Sequence, residues 1–288
     1  MKLIPNMASL NTYVSYSRAL GKQAISLNRV SSGVKIERAE DDPSGLCDSE
    51  RMEVQIRGLQ VVSQNAQDGV SMLQTAEGGL SCITDTLQRV RTLIVQSNDG
   101  SKTPSDVQNI QAEVDQLMEG ISDAVNHTEF NGQNLLKAVN DPESLLMTVG
   151  ANPGDTVDIP MYNLSTDKLG DGTYSLDDLK IGGSLNITDR ANSDKALGVV
   201  DKALESVVNV RSEYGSLENR FDVKMQDAVE FADQIQGAQS YLCDADMAVE
   251  ISNYSTQNII IQANIAILAQ TNKLPQDALN VLQGVKSR

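Results

Sequence analysis

The chain has 288 residues and carries 39 Asp and Glu against 23 Lys and Arg, a net charge of −16. That balance argues against a nucleic-acid partner, whose phosphates need Lys and Arg, and it suits solubility at high local concentration. Aromatic residues make up only 3%, with no Trp and three Phe, which favours a thin helical body over an enzyme built on a large core.

Charge is not spread evenly. Residues 1–36 hold five cations and no acid, and residues 251–288 hold three cations and one acid, so the acidic excess lies between them. No apolar stretch of signal-peptide type stands at the start. The expectation is either a cytoplasmic chain or one exported by a route that does not read such a signal.

Residues 6–30 read as a first helix, stopped by Ser31-Ser32-Gly33, because Gly accepts the left-handed conformation that ends helices. Leu3, Met7, Leu10 and Val14 form one apolar stripe on it. Residues 34–42 read as a connector. Asp42-Pro43 then restarts a helix, with Asp as N-cap and Pro at the first helical position. Its apolar residues step by three or four from Met52 to Ile94, a coiled-coil-like seam about 80 Å long at ~1.5 Å per residue. Gly58, Gly69, Gly78 and Gly79 inside it predict close approach of other segments.

Asn98-Asp99-Gly100 breaks that helix and Thr103-Pro104 caps the next, which runs through Val107, Ile110, Val114, Leu117, Ile121 and Val125. Phe130-Asn131-Gly132 reads as a turn. Strands are predicted at Leu145–Val149 and Thr156–Ile159, with shorter strand-like pieces at Thr173–Leu176 and Leu185–Thr188. From Ser193 to Leu242 a second long apolar seam returns, and Asp244-Ala245-Asp246 marks a joint.

The last helical stretch, Ile251–Asn272, has no charged residue, and 11 of its 22 positions are Ser, Thr, Asn or Gln. It is too polar for a membrane span, which needs ~20 mostly apolar residues. Ile251, Tyr254, Ile261, Ile265 and Leu268 lie on one stripe. Such a helix is built to be surrounded by protein. The two chain ends are expected to pair with each other. A basic membrane-surface helix at the N-terminus is the weaker alternative, and no membrane insertion is expected.

No catalytic, cofactor or metal site is expected. His127, the single histidine, sits at a helix end and reads as satisfied by the local dipole. Cys47, Cys82 and Cys243 have no metal-ligand spacing and read as small apolar fillers. Glu40-Asp41-Asp42 lacks the pattern of a calcium loop.

Several segments resemble the bacterial flagellin family: SSGVKIERAEDDPSGL at 31–46, the seam ending TAEGGL, LQRVRTLIVQS at 87–97, IQAEVDQL at 110–117, FNGQNLL at 130–136, and NIAILAQTNKLPQDALNVL at 264–282. The fold this implies is mainly α: an elongated antiparallel helical rod or coiled-coil bundle with a small β-hairpin region at the mid-chain tip and paired terminal helices. The division it implies is an inner coiled coil (1–42 with 244–288), a helical rod (43–140 with 191–243) and a short exposed β/loop region (141–190). Three cysteines and the tail QGVKSR after Leu282 depart from the family pattern.

The function implied is a non-enzymatic subunit that self-polymerises into the flagellar filament for motility, exported unfolded by the flagellar type III system to the cell exterior. The alternative is a flagellin-like hook–filament junction protein. Implied partners are further copies of the chain in a helical filament, an export chaperone, the filament cap, hook-junction proteins and an animal toll-like receptor. Leu3, Met7, Leu10, Val14, Ile251, Tyr254, Ile261, Ile265 and Leu268 are expected to pack the filament core. Leu87, Arg89, Leu93, Gln96 and Glu113 are expected on a surface shared by subunit contact and the immune receptor.

Overall fold

The computed structural model describes residues 6–138, 143–152, 154–189 and 192–286, with no side-chain description at 143 or 274–286. Five long helices carry the fold: α1 (Met7–Ser32), α2 (Pro43–Ser97), α3 (Pro104–His127), α4 (Ser193–Cys243) and α5 (Met247–Lys286). Strands β1 (Glu129–Phe130) and β2 (Gln133–Asn134) pair, as do β3 (Glu143–Thr148) and β4 (Thr156–Met161), both antiparallel. The chain forms two compact units, residues 1–54 with 234–288 and residues 55–233.

Helix boundaries follow the local chemistry. Gly33 ends α1 at φ +75°, and its N–H donates to the Arg29 carbonyl. The Asp42 carboxylate accepts the Ser44 amide at 3.1 Å where α2 starts. At α3, Thr103 and Asp106 form a reciprocal capping box. The side-chain bond from Thr103 comes first among the causes that hold the Asp106 carboxyl below its usual range. Asn131 and Gly132, both at positive φ, make the tight turn between β1 and β2.

The unit of residues 55–233 has one continuous apolar core. Leu73, Leu80, Ile83, Leu87, Leu93 and Ile94 of α2 are buried against Val114, Met118 and Ile121 of α3 and Val200, Val207 and Phe221 of α4. Fully burying each such side chain is worth ~1.5–3 kcal/mol. Ion pairs lie along the rim: Arg211 to Glu77 at 3.1 Å and Arg91 to Asp201 at 2.7 Å. Val157, Ile159 and Met161 of β4 face inward while Asp158 faces out. Tyr214 donates to the Pro160 carbonyl at 3.0 Å, and burial pushes its phenol pKa up. Of the four glycines of α2 expected at close approaches, Gly69 and Gly79 make them, Gly58 has only ordinary contact and Gly78 meets nothing within 4 Å. A Cβ at Gly69 would stand 2.8 Å from Met147 Sδ, and one at Gly79 would stand 2.5 Å from Thr128 Oγ1.

The strand-like pieces at 173–176 and 185–188 are not strands. Leu176–Leu179 is a 3-10 helix, Ser175 makes a single antiparallel bridge with Gly170, and residues 185–188 lie in turns. Side chains take the amides that a ladder would use. The buried Gln111 of α3 accepts from the Ile187 N–H at 3.0 Å and donates to the Leu179 carbonyl at 2.7 Å. Asp115 accepts the Ile181 N–H at 3.1 Å.

Cysteines depart from expectation too. Cys243 is buried, but Cys47 and Cys82 are exposed, so neither of those two fills a core. Both sit on the outer side of α2, away from its apolar seam.

Candidate functional site

In the unit of residues 1–54 and 234–288, α1 and α5 pack side by side, antiparallel. Polar contacts fix their register at both ends. Asn6 donates to the Thr271 carbonyl at 3.0 Å and Ser9 to the Asn272 side chain at 3.2 Å. At the other end Arg29 reaches Glu250 at 3.3 Å and Asp41 at 3.8 Å. The two joints are bonded to each other as well: Lys35 N–H donates to the Cys243 carbonyl at 2.5 Å and Ala245 N–H to the Gly33 carbonyl at 2.9 Å.

The seam between the two helices is mixed, polar at half of its positions. On α1 the covered positions are Ser9, Thr12, Tyr16, Ala19, Gln23, Ser26 and Val30, stepping by three and four. On α5 they are Glu250, Tyr254, Gln257, Ile261, Asn264, Leu268 and Thr271, with the same spacing. This is coiled-coil spacing in which polar side chains take half of the knob positions, beside Ala19, Val30, Ile261 and Leu268.

The apolar side chains point elsewhere. Met7 is 57% exposed, Leu10 and Val14 are exposed, and all three lie on the face of α1 opposite the seam. Tyr13, Leu20, Ile25 and Leu27 are exposed too. On α5 Ile251 and Ile265, each 51% exposed, flank the seam, and Ile259 and Ile267 are exposed beyond it. Of the nine residues expected in filament packing, only Ile261 is buried within the chain, at 8% exposure, with Tyr254 and Leu268 half-buried. Leu3 lies outside the described residues, as do the side chains of Leu274, Leu279 and Leu282.

The second group of expected residues divides. Arg89 of α2 holds Glu113 of α3 at 2.6 Å, both half-exposed, and Gln96 is exposed. Leu87 and Leu93 are buried in the core of their own unit, so they support that surface from beneath and cannot form part of it. Their place in the three–four apolar repeat of α2 is the sequence signal for this.

Nothing in the described residues gathers into a reactive site. His127 is exposed and its Nδ1 lies 2.9 Å from the Asp123 carbonyl oxygen at the end of α3. No group of His, Cys, Asp or Glu among the described residues is placed to hold a metal. No described helix is long and apolar enough to cross a membrane.

Comparison with known proteins identifies the chain. Residues 5–141 match the bacterial flagellin N-terminal helical region and residues 197–282 the bacterial flagellin C-terminal helical region. The chain is 36% identical to the flagellin of Bacillus subtilis over 98% of its own length and 100% of that protein's. It is 36% identical to the flagellar filament 33 kDa core protein of Treponema phagedenis, covering 92% and 96% of the two chains. Two solved structures share the fold at low identity. One is a Vibrio parahaemolyticus protein described as flagellar hook-associated (TM-score 0.61, 17% identity, 70% of this chain and 99% of that one). The other is FlgL of Bacillus cereus (TM-score 0.52, 16% identity, 66% and 99%). With family regions covering both ends of the chain and relatives matched over nearly its whole length, the chain belongs to the bacterial flagellins, structural subunits of the flagellar filament and not enzymes.

Proposed function

We propose that copies of this chain polymerise through α1 and α5, and that Met7, Leu10, Val14, Ile251 and Ile265, together with Leu3, pack against neighbouring copies in the filament core. Tyr254, Ile261 and Leu268 hold the pair together inside each copy. One observation carries this reading: the α1–α5 pair has polar side chains at about half of its seam positions and turns most of its large apolar ones outward. Exposed apolar area of that kind marks an interaction surface, and a homopolymer supplies the matching face from the next copy.

The division into an inner coiled coil (1–42 with 244–288), a rod (43–140 with 191–243) and an exposed β/loop region (141–190) belongs to this proposal. So do export through the flagellar type III route, capture of the C-terminal segment by an export chaperone, and docking to the filament cap and hook-junction proteins. The exposed Arg89, Gln96 and Glu113 supply a subunit contact that a toll-like receptor of an animal host could also read.

Charge adds a condition. Residues 55–233 hold 28 Asp and Glu against 13 Lys and Arg, whereas residues 1–54 with 234–288 hold 11 against 10. Packing copies together crowds the acidic parts, so assembly is expected to be favoured by salt that screens them.

The test is seeded polymerisation. Purified chain is mixed with sheared filament fragments in rising salt and imaged by negative stain, beside a chain lacking residues 1–30 and 251–288. Filaments from the full chain alone support the reading. No filaments from either, under any salt, would overturn it in favour of a junction protein present in few copies.

A further inference from the structure

The outer side of α1 joins an apolar strip to a row of cations. Met7, Leu10, Val14 and Ile25 stand at spacings of three, four and eleven, so they share one side of the helix. Each of them is at least 40% exposed. Arg18 follows Val14 by four positions and Lys22 follows Arg18 by four, which places both along one edge of that side. Both are exposed. Unlike Arg29, which holds Glu250 and Asp41, neither has an ion-pair partner among the described residues. Tyr13 and Leu20, seven positions apart and also exposed, line the other edge. Residues 1–36 and 251–276 together hold six cations and no acid. Within this unit every acid but Asp277 lies in residues 37–53 or 244–250.

We propose that this side of α1 docks free copies of the chain on an anionic phospholipid surface. Met7, Leu10, Val14 and Ile25 enter the boundary between headgroups and acyl chains, as the apolar face of an interfacial helix does. Arg18 and Lys22 lay their stems along that boundary and reach lipid phosphates with their charged ends. The Tyr13 ring suits the same depth. This is adsorption and not a span, since no described helix is long and apolar enough to cross a membrane. Apolar area alone would suit a second copy as well, and the cations decide between the two. Face to face, the ends of two copies bring cation against cation, whereas lipid phosphates supply the anions. Each cation near such a surface strengthens binding about fivefold. Residues 55–233, with 28 Asp and Glu against 13 Lys and Arg, are repelled by it, so the attraction comes from the ends. Met7, Leu10 and Val14 cannot face lipid and a neighbouring copy at once, so the docked state belongs to copies outside a filament.

The test is vesicle flotation with the full, unassembled chain at low salt and without seeds. One set of vesicles is phosphatidylglycerol and phosphatidylcholine in equal parts, and the other is phosphatidylcholine alone. Bound chain rises with the lipid, while free chain and filaments stay below. The unaltered chain is expected to float with the anionic set only, and to be released by salt that screens the charges. Arg18→Gln combined with Lys22→Gln is expected to weaken binding to the anionic set by roughly thirtyfold. Ile25→Ser, which trims the apolar strip, is expected to weaken it by roughly tenfold. None of these three residues is among those proposed to pack the filament core. Both variants are therefore expected to grow on seeds as the unaltered chain does.

Equal flotation with both vesicle sets, or flotation unchanged in both variants, would overturn the proposal. So would an unaltered chain that grows on seeds yet never floats, because the face would then serve other copies alone. If the double variant does not grow on seeds, Ile25→Ser decides by the same criterion. Failure of the unaltered chain to polymerise counts against the assembly reading, while flotation still judges the lipid surface.

Discussion

The two units of this chain are packed in opposite senses. In residues 55–233 the seam positions of α2, α3 and α4 are Leu, Ile, Val, Met and Phe, and the ion pairs stand on the rim. In α1 and α5 half of the seam positions are Ser, Thr, Gln or Asn, and most of the Ile, Leu, Met and Val side chains face out. The first arrangement buries enough apolar area to fold within one copy. The second leaves its apolar area uncovered within the chain, and isolated helices without such cover are marginal in water. On the proposed assembly, the contrast is between a part that stabilises the subunit and a part that is stabilised by the polymer.

That contrast is easiest to break at the ends. Ile265→Asp puts a charge on the exposed flank of α5 and is expected to abolish seeded filament growth. The same change should shift the urea midpoint of the monomer by no more than ~0.5 kcal/mol in stability, the usual scale for a surface site. Ile261→Asp is expected to abolish growth as well. Filaments from either variant would show that these helices are not the assembly elements.

The converse change is Phe221→Ala, in the core of the other unit. It is expected to cost ~3–5 kcal/mol of monomer stability, measured by urea unfolding. A cost below 1 kcal/mol would mean that this core does not carry the monomer's stability. Gln111→Ala is a finer probe of the same unit. It leaves the Leu179 carbonyl and the Ile187 N–H without their side-chain partner, and ~1–3 kcal/mol is expected.

Surface electrostatics should matter least. Arg89→Ala removes a half-exposed pair with Glu113 and is expected to change monomer stability by under ~1 kcal/mol. A larger effect on assembly than on stability would place this pair at a subunit contact. The Asp106 carboxyl is held below its ordinary range by Thr103, so its contribution is present above the unfolded-state value. It fades as pH falls through the lower folded-state value. Asp106→Asn should flatten the acid limb of the stability profile slightly, as read by circular dichroism.

Much of the helical layout was legible because local chemistry and packing agree along it. Gly33, Asp42-Pro43 and Thr103-Pro104 mark helix ends that the structure places there. The three–four repeat from Met52 to Ile94 is the face that α2 buries from Ile56 onward. The pairing of α1 with α5 is legible in the neutral-to-basic character of the two chain ends beside an acidic middle. What could not be read was which face of each they turn to the other. A stripe such as Met7, Leu10 and Val14 states that an apolar face will be covered, but not by which chain. In a subunit the cover need not come from the same molecule.

The pieces at 173–176 and 185–188 depart from expectation for a different reason. Leu185 and Ile187 do point into the core, as alternation would have it. Their amides are claimed by turns and by Gln111, and a single glutamine 76 positions away leaves no local pattern to detect. Leu87 and Leu93 are expected on a surface with Arg89 only through the family resemblance. A helix separates such neighbours by face.

The contrast between the two units is tested by amide hydrogen exchange on monomer and filament side by side. Residues 55–233 should be protected in both states. Residues 7–32 and 247–272 should exchange at nearly unfolded rates in the monomer and become protected in the filament. Ends already protected in the monomer to the level of residues 55–233 would contradict the account, because the α1–α5 pair would then be stable without any neighbour.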